Sequence, residues 1–133
     1  MVSLGIKDAC FKGCALKSGR IVEGPLFRDG DNYLIQSDGE NVLVEEKSIG
    51  MYTGAVDIKD RKIYVNDIIK CKNRFSGRPA VYTVCMAGEP YYNVRLKDDE
   101  GFWSDFRDNE RYEVIGNIFQ KKYRSQLEKK DYL

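Results

Sequence analysis

Ala80-Val81-Tyr82-Thr83-Val84-Cys85-Met86, the turn residues Gly88-Glu89-Pro90, and Tyr91-Tyr92-Asn93-Val94-Arg95-Leu96 decide the fold. The first run is dense in β-branched and aromatic residues, which suit a pleated, half-buried surface. The second alternates with period two, the spacing of a half-buried strand. It puts Tyr92, Val94 and Leu96 on a core face, and Tyr91, Asn93, Arg95 and Lys97 on a polar one. Toward the C-terminus, Lys97-Asp98-Asp99-Glu100-Gly101 reads as a turn before Phe102-Trp103. Tyr112–Phe119 then reads as a closing strand, with Gly116 marking a bulge or a close backbone approach.

Toward the N-terminus the pattern repeats. Lys62–Val65 and Ile68–Lys72 are strand-like, interrupted at Asn66-Asp67, and a loop spans Arg74–Pro79. Before them, Tyr33–Gln36 and Asn41–Val44 are separated by turns carrying Asp-Gly steps, which tolerate positive φ. Ile21-Val22 and Leu26-Phe27 bracket Gly24-Pro25, and proline there implies an edge strand or a bulge. Many short strands with turn signals between them predict an all-β barrel or sandwich.

The last segment changes character. Phe119, Tyr123 and Leu127 share one face of a helix, with Lys121, Lys122 and Arg124 on the rest. The expected organisation is a single domain over 1–133. Within it lie an N-terminal β-meander (1–50), a barrel-like part (51–119) and a basic C-terminal helix (120–133).

Composition narrows the function classes. Lysine plus arginine number 22 and aspartate plus glutamate 21, so the net charge is +1 and no global field draws nucleic acid or an anionic membrane. There is no histidine, which removes the commonest general base and every imidazole triad. No Walker loop, dinucleotide fingerprint or nucleophile elbow occurs, so no enzyme is expected. Four cysteines, Cys10, Cys14, Cys71 and Cys85, lack the tight C-x2-C spacing of a zinc knuckle. They read as free thiols, and no cofactor is expected. No apolar run approaches the ~20 residues of a membrane helix. The N-terminus does not read as a secretory signal, so the expected location is a cytoplasm.

One stretch carries a family signature: Gly50-Met51-Tyr52-Thr53-Gly54, the polar turn Lys59-Asp60-Arg61, and Lys62-Ile63-Tyr64-Val65-Asn66-Asp67-Ile68-Ile69. It resembles the YopX family of phage and prophage proteins. The same resemblance takes in Phe11-Lys12-Gly13 with Ser18–Gly24, and the closing Tyr112–Phe119. It implies short antiparallel strands in barrel-like, partly SH3-like sheets, and a phage or prophage origin in a bacterial host. It implies no activity. Family members often carry glycine where this chain has Asp60 and Asn66, the residue types that best tolerate the left-handed region. After Phe119 the family usually ends in a short acidic stretch, where this chain runs on as a basic helix.

The chemistry-bearing clusters have plain structural readings. Asp57, Asp60 and Asp67 match no calcium loop and suit turns, where aspartate accepts from nearby backbone N–H groups. The acidic run Asp98-Asp99-Glu100 reads as a solvated turn. Two interaction readings follow. In the first, the chain is an accessory protein acting by protein contact or self-association through the aromatic sheet, with Phe119, Tyr123 and Leu127 as an oligomer seam. In the second, it is a nucleic-acid module using Tyr91, Arg95, Lys121, Lys122 and Arg124. The partners expected are another copy, a host or phage protein, or nucleic acid, and no membrane.

Overall fold

The computed structural model describes residues 2–3, 10–73, 76–87, 93–107 and 111–123, with backbone alone at 2, 3 and 87. In chain order the strands are β1 (Val2–Ser3), β2 (Phe11–Cys14), β3 (Ile21–Gly24), β4 (Leu26–Asp29), β5 (Asn32–Ser37) and β6 (Glu40–Val44). A 3-10 turn (Glu46–Ser48) follows, then β7 (Gly50–Val56), β8 (Lys62–Tyr64), β9 (Asp67–Lys72), β10 (Pro79–Ala87), β11 (Asn93–Lys97), β12 (Trp103–Asp105) and β13 (Glu113–Asn117). The protein is all-β, built of antiparallel sheets with one half-barrel, and a short C-terminal helix begins at Lys121. The chain divides into two compact units. The first is residues 1–52 with 119–133, and the second is residues 53–118.

In the first unit, β1, β4, β5 and β6 form a meander in the order β1-β4-β5-β6. The Asp-Gly turn between β5 and β6 places Asp38 at φ 50 and Gly39 at φ 80, as a tight hairpin demands. Val22, Leu26, Ile35 and Val44 make the core, with Phe11, Tyr33, Val42 and Ile49 packed on it. The Gly24-Pro25 step is where the chain leaves one sheet for another. β3 pairs with β2, whereas β4 lies between β1 and β5. The crossing is tight: the Pro25 carbonyl accepts the Gln36 N–H at 3.0 Å, and a Cβ on Gly24 would sit 2.0 Å from the Gln36 oxygen. Only glycine fits there. Beside it, buried Ser48 accepts the Cys14 N–H at 2.7 Å and donates to the Glu45 carbonyl at 2.6 Å, so its hydroxyl is satisfied away from water.

The second unit is a five-stranded antiparallel sheet in the order β12-β11-β10-β9-β13, accompanied by the end of β7 and by β8. Its core is Ala55, Ile63, Ile69, Tyr82, Val84, Leu96 and Tyr112. Phe106 stacks on Tyr112 with ring centres 5.2 Å apart. The glycine in the closing strand does mark a bulge: Val114 faces Ile69 and Gly116 faces Ile68, leaving Ile115 unpaired between them. The turn from β8 to β9 places Asn66 at φ 81, and Asp60 stands at φ 60 in the turn before β8. Both sites favour glycine and are held here by the side chains that tolerate them best. Asp67 is fully buried. It accepts the Tyr64 N–H at 2.9 Å and the Asn117 amide at 3.0 Å, tying that turn to β13.

Candidate functional site

The two outer strands of the five-stranded sheet are unlike. At β13 the free edge is covered. Val114 donates its N–H to Asp57 Oδ2 at 3.0 Å, and its carbonyl accepts Arg61 Nη2 at 2.7 Å. Asp57 also accepts the N–H groups of Lys59 and Arg61, each at 2.9 Å, and pairs with the Arg61 guanidinium at 2.8 Å. Burial by itself raises the Asp57 pKa. The N–H groups of Val114 and Arg61, the Arg61 guanidinium and the Lys59 N–H outweigh that and lower it from 3.8 to about 2. The carboxylate is therefore charged at neutral pH and serves as a plug for the edge. The bulge at Ile115 twists the same strand further from regular pairing.

At β12 no such device is present among the described residues. β12 pairs with β11 on one side, through Arg95↔Asp105, Leu96↔Ser104 and Lys97↔Trp103, and ends the strand order on the other. The Asp98 N–H donates to the Phe102 carbonyl at 2.9 Å. Antiparallel ladders alternate bonded and non-bonded pairs. Hence Leu96–Ser104 is a bonded pair, and Trp103 and Asp105 turn their N–H and C=O groups away from β11. This open edge carries the exposed aromatics: Phe102 is 66% and Trp103 43% exposed.

Paired residues share a face. The outer face of the sheet therefore carries a row of Trp103, Lys97 and Thr83, and beside it a row of Asp105, Arg95 and Cys85. Lys97 Nζ lies 5.4 Å, and Arg95 Cζ 6.0 Å, from the centre of the Trp103 ring. Both cations are within range of favourable cation–π contact. Arg95 also pairs with Asp105 at 3.6 Å, while its Nε is buried with no acceptor among the described residues. A cleft of about 370 Å³ at the β12 end of the sheet is lined by Arg95, Trp103 and Asp105 together with Tyr82, Leu96 and Tyr112. Its hydroxyls hold its walls: Tyr112 accepts the Arg107 N–H at 2.9 Å and Tyr82 accepts the Asn73 amide at 3.5 Å.

The sequence-predicted contact residues fall in different places. Arg95 lies on the polar sheet face its alternation predicts, half-buried rather than free. Tyr91, Arg124 and Leu127 lie outside the described residues. Phe119 is buried, 6% exposed, so its ring is engaged within the chain rather than offered as the start of an oligomer seam. Tyr123 is half-buried, with Lys122 Nζ 4.9 Å from its ring centre. Lys121 and Lys122 are exposed, and with Gly19, Arg20, Ile21 and Gln120 they line a cleft of about 350 Å³ in the first unit. Arg20, a century of residues earlier, had no sequence signal linking it to them. Asp57 and Asp67 are turn and edge acceptors as described, whereas Asp60 takes the left-handed backbone and donates its N–H to the Asp57 carbonyl at 3.0 Å. In the same way Asp98 accepts the N–H groups of Glu100 and Phe102. Among the described residues no group of three or more acidic or cysteine side chains is placed to hold a metal ion.

Residues 28–123 match the family described as YopX protein. The chain belongs to the YopX family. The matched stretch runs from β4 into the start of the C-terminal helix, and so contains both edges of the five-stranded sheet, whereas Arg20 precedes it. Among solved structures, this YopX-family chain is similar to protein EF1440 from Enterococcus faecalis. The TM-score is 0.51 at 18% identity, covering 86% of this chain and 95% of that one. At that identity the likeness shows the fold alone. A search of the curated proteins finds no match.

Proposed function

We propose that this YopX-family chain is a non-enzymatic accessory protein of phage or prophage origin, working in the cytoplasm of a bacterial host by protein contact at the β12 edge. The observation that carries this is the contrast between the edges. A sheet that plugs β13 with a buried carboxylate and an arginine leaves β12 open among the described residues, with exposed Phe102 and Trp103 alongside. Open edges are hazards that proteins usually cover, so one retained with aromatics invites an added strand. An extended segment of a partner, or β12 of a second copy, pairs with the outward groups of Trp103 and Asp105 and covers Phe102 and Trp103.

The test uses Asp105→Pro. Proline there removes an outward N–H while sparing the inward N–H of Ser104. Wild-type and variant chains are compared as bait in host lysate, and by light scattering over a range of concentrations. The expected result is a partner, or a concentration-dependent mass, present for wild type and lost for the variant. Identical partners and identical masses for the two chains sink the proposal.

A further inference from the structure

We infer that the first unit carries a phosphate-binding site for single-stranded nucleic acid, formed by Arg20, Lys121 and Lys122. These residues line one cleft of about 350 Å³ with Gly19, Ile21 and Gln120. Three cations line it and, among the described residues, no carboxylate does, in a chain whose overall charge is only +1. Among the described residues the side chains of Arg20 and Lys121 have no ion pair or hydrogen bond. The backbone holds Arg20 in place: the Gly19 N–H closes on the Ala15 carbonyl at 2.9 Å, Gly19 takes φ 74, and the Arg20 N–H donates to the Ser18 hydroxyl at 3.2 Å. Converging like charges repel, and a polyanion is what relieves them.

The neighbouring groups favour a nucleotide over a bare anion. Tyr123 follows the two lysines in the chain, and Lys122 stands 4.9 Å from its ring centre, pairing an aromatic ring with a cation as single-strand sites do. A cleft of this size takes about one nucleotide. Arginine and lysine supply the backbone contacts, which carry no sequence preference. The site lies in the unit opposite to β12 in the chain's division, so it stands or falls separately from the strand-addition proposal.

The experiment is fluorescence anisotropy of a labelled 20-nucleotide single strand with the full chain between 50 and 200 mM salt. Three phosphate contacts on a single strand give a slope of log affinity against log salt of roughly −2, a loss of about 20-fold over that range. Arg20→Gln is expected to make the slope shallower by about 0.7, and a Lys121→Gln, Lys122→Gln pair by about twice that. Lys59→Gln, a lysine of the second unit, is expected to keep the wild-type slope. These side chains are exposed, and thermal melts check that each variant folds. If Arg20→Gln fails to fold, the lysine pair reports on the same cleft. No binding at 50 mM salt overturns the inference, as does a slope that Arg20→Gln and the lysine pair leave unchanged. Binding to phosphatidylserine vesicles without binding to the oligonucleotide overturns it as well.

Discussion

Asp57→Asn should cost the second unit about 2–3 kcal/mol at neutral pH, and the cost should shrink in acid. The folded protein lowers the Asp57 pKa from 3.8 to about 2, and each pKa unit corresponds to about 1.4 kcal/mol. The side chain is fully buried, so solvent does little to screen that figure. The substitution replaces a charged acceptor of four donors with an amide that turns an NH2 group toward some of them. The folded pKa lies below the unfolded one. The stabilisation is therefore complete well above pH 3.8 and is lost as the pH falls through about 2. At pH 3 about half of that stabilisation remains. The only tryptophan of the chain, Trp103, sits in the same unit and reports its unfolding. Urea, being uncharged, leaves the ion pair unscreened. With a denaturant slope of roughly 1–3 kcal/mol per molar, the midpoint at pH 7 falls by about 1–3 M. A penalty of the same size at pH 3 as at pH 7 would refute the reasoning, since the loss would then owe nothing to the charge.

Substitutions at three further positions probe the frame. Asp67→Ala leaves the Tyr64 N–H and the Asn117 amide without their buried acceptor, and should cost about 2–5 kcal/mol in the same urea assay, against less for Asp67→Asn. Gly24→Ala drives a Cβ into the Gln36 carbonyl at the crossing from β3 to β4; a drop in melting temperature of several degrees or loss of soluble protein is expected, and an unchanged melt would deny the tight crossing. At Asp60, with φ 60, glycine should be neutral or slightly stabilising and valine destabilising by about 1–2 kcal/mol, read as the difference between the two melts.

Much of the frame is legible in local chemistry. Asp60 and Asn66 read as left-handed turn residues and take φ 60 and 81. Gly116 reads as a bulge and stands beside one. Asp57 and Asp67 read as turn acceptors and accept backbone N–H groups within four residues of themselves, and Asp98, read as part of a solvated turn, accepts one too. What the residues do not disclose is which distant element answers them. Asp57 meets Val114 and Asp67 meets Asn117 through the fold, with no local sign of either partner. Arg20 joins Lys121 and Lys122 only because the chain returns there. Phe119 carries a helical stripe's spacing, yet periodicity says which way a residue faces and not what covers it, and its ring is buried. Arg95 alternates as a surface residue and is half-covered beside Trp103, a neighbour on the next strand that spacing along one strand cannot reveal.

The division of the chain has a consequence for how the protein is made. The second unit is one unbroken segment, while the first is completed only by residues from 119 onward. During synthesis every residue of the second unit is joined to the chain before buried Phe119 is. The first unit must wait as a partial sheet, its Val22–Ile35–Val44 core formed but unclosed, until the returning segment arrives. Closing a long flexible loop carries an entropy cost that rises with its length. A second unit already folded shortens that loop to the distance between its two ends, which lowers the entropy cost of bringing the returning segment back to the first unit.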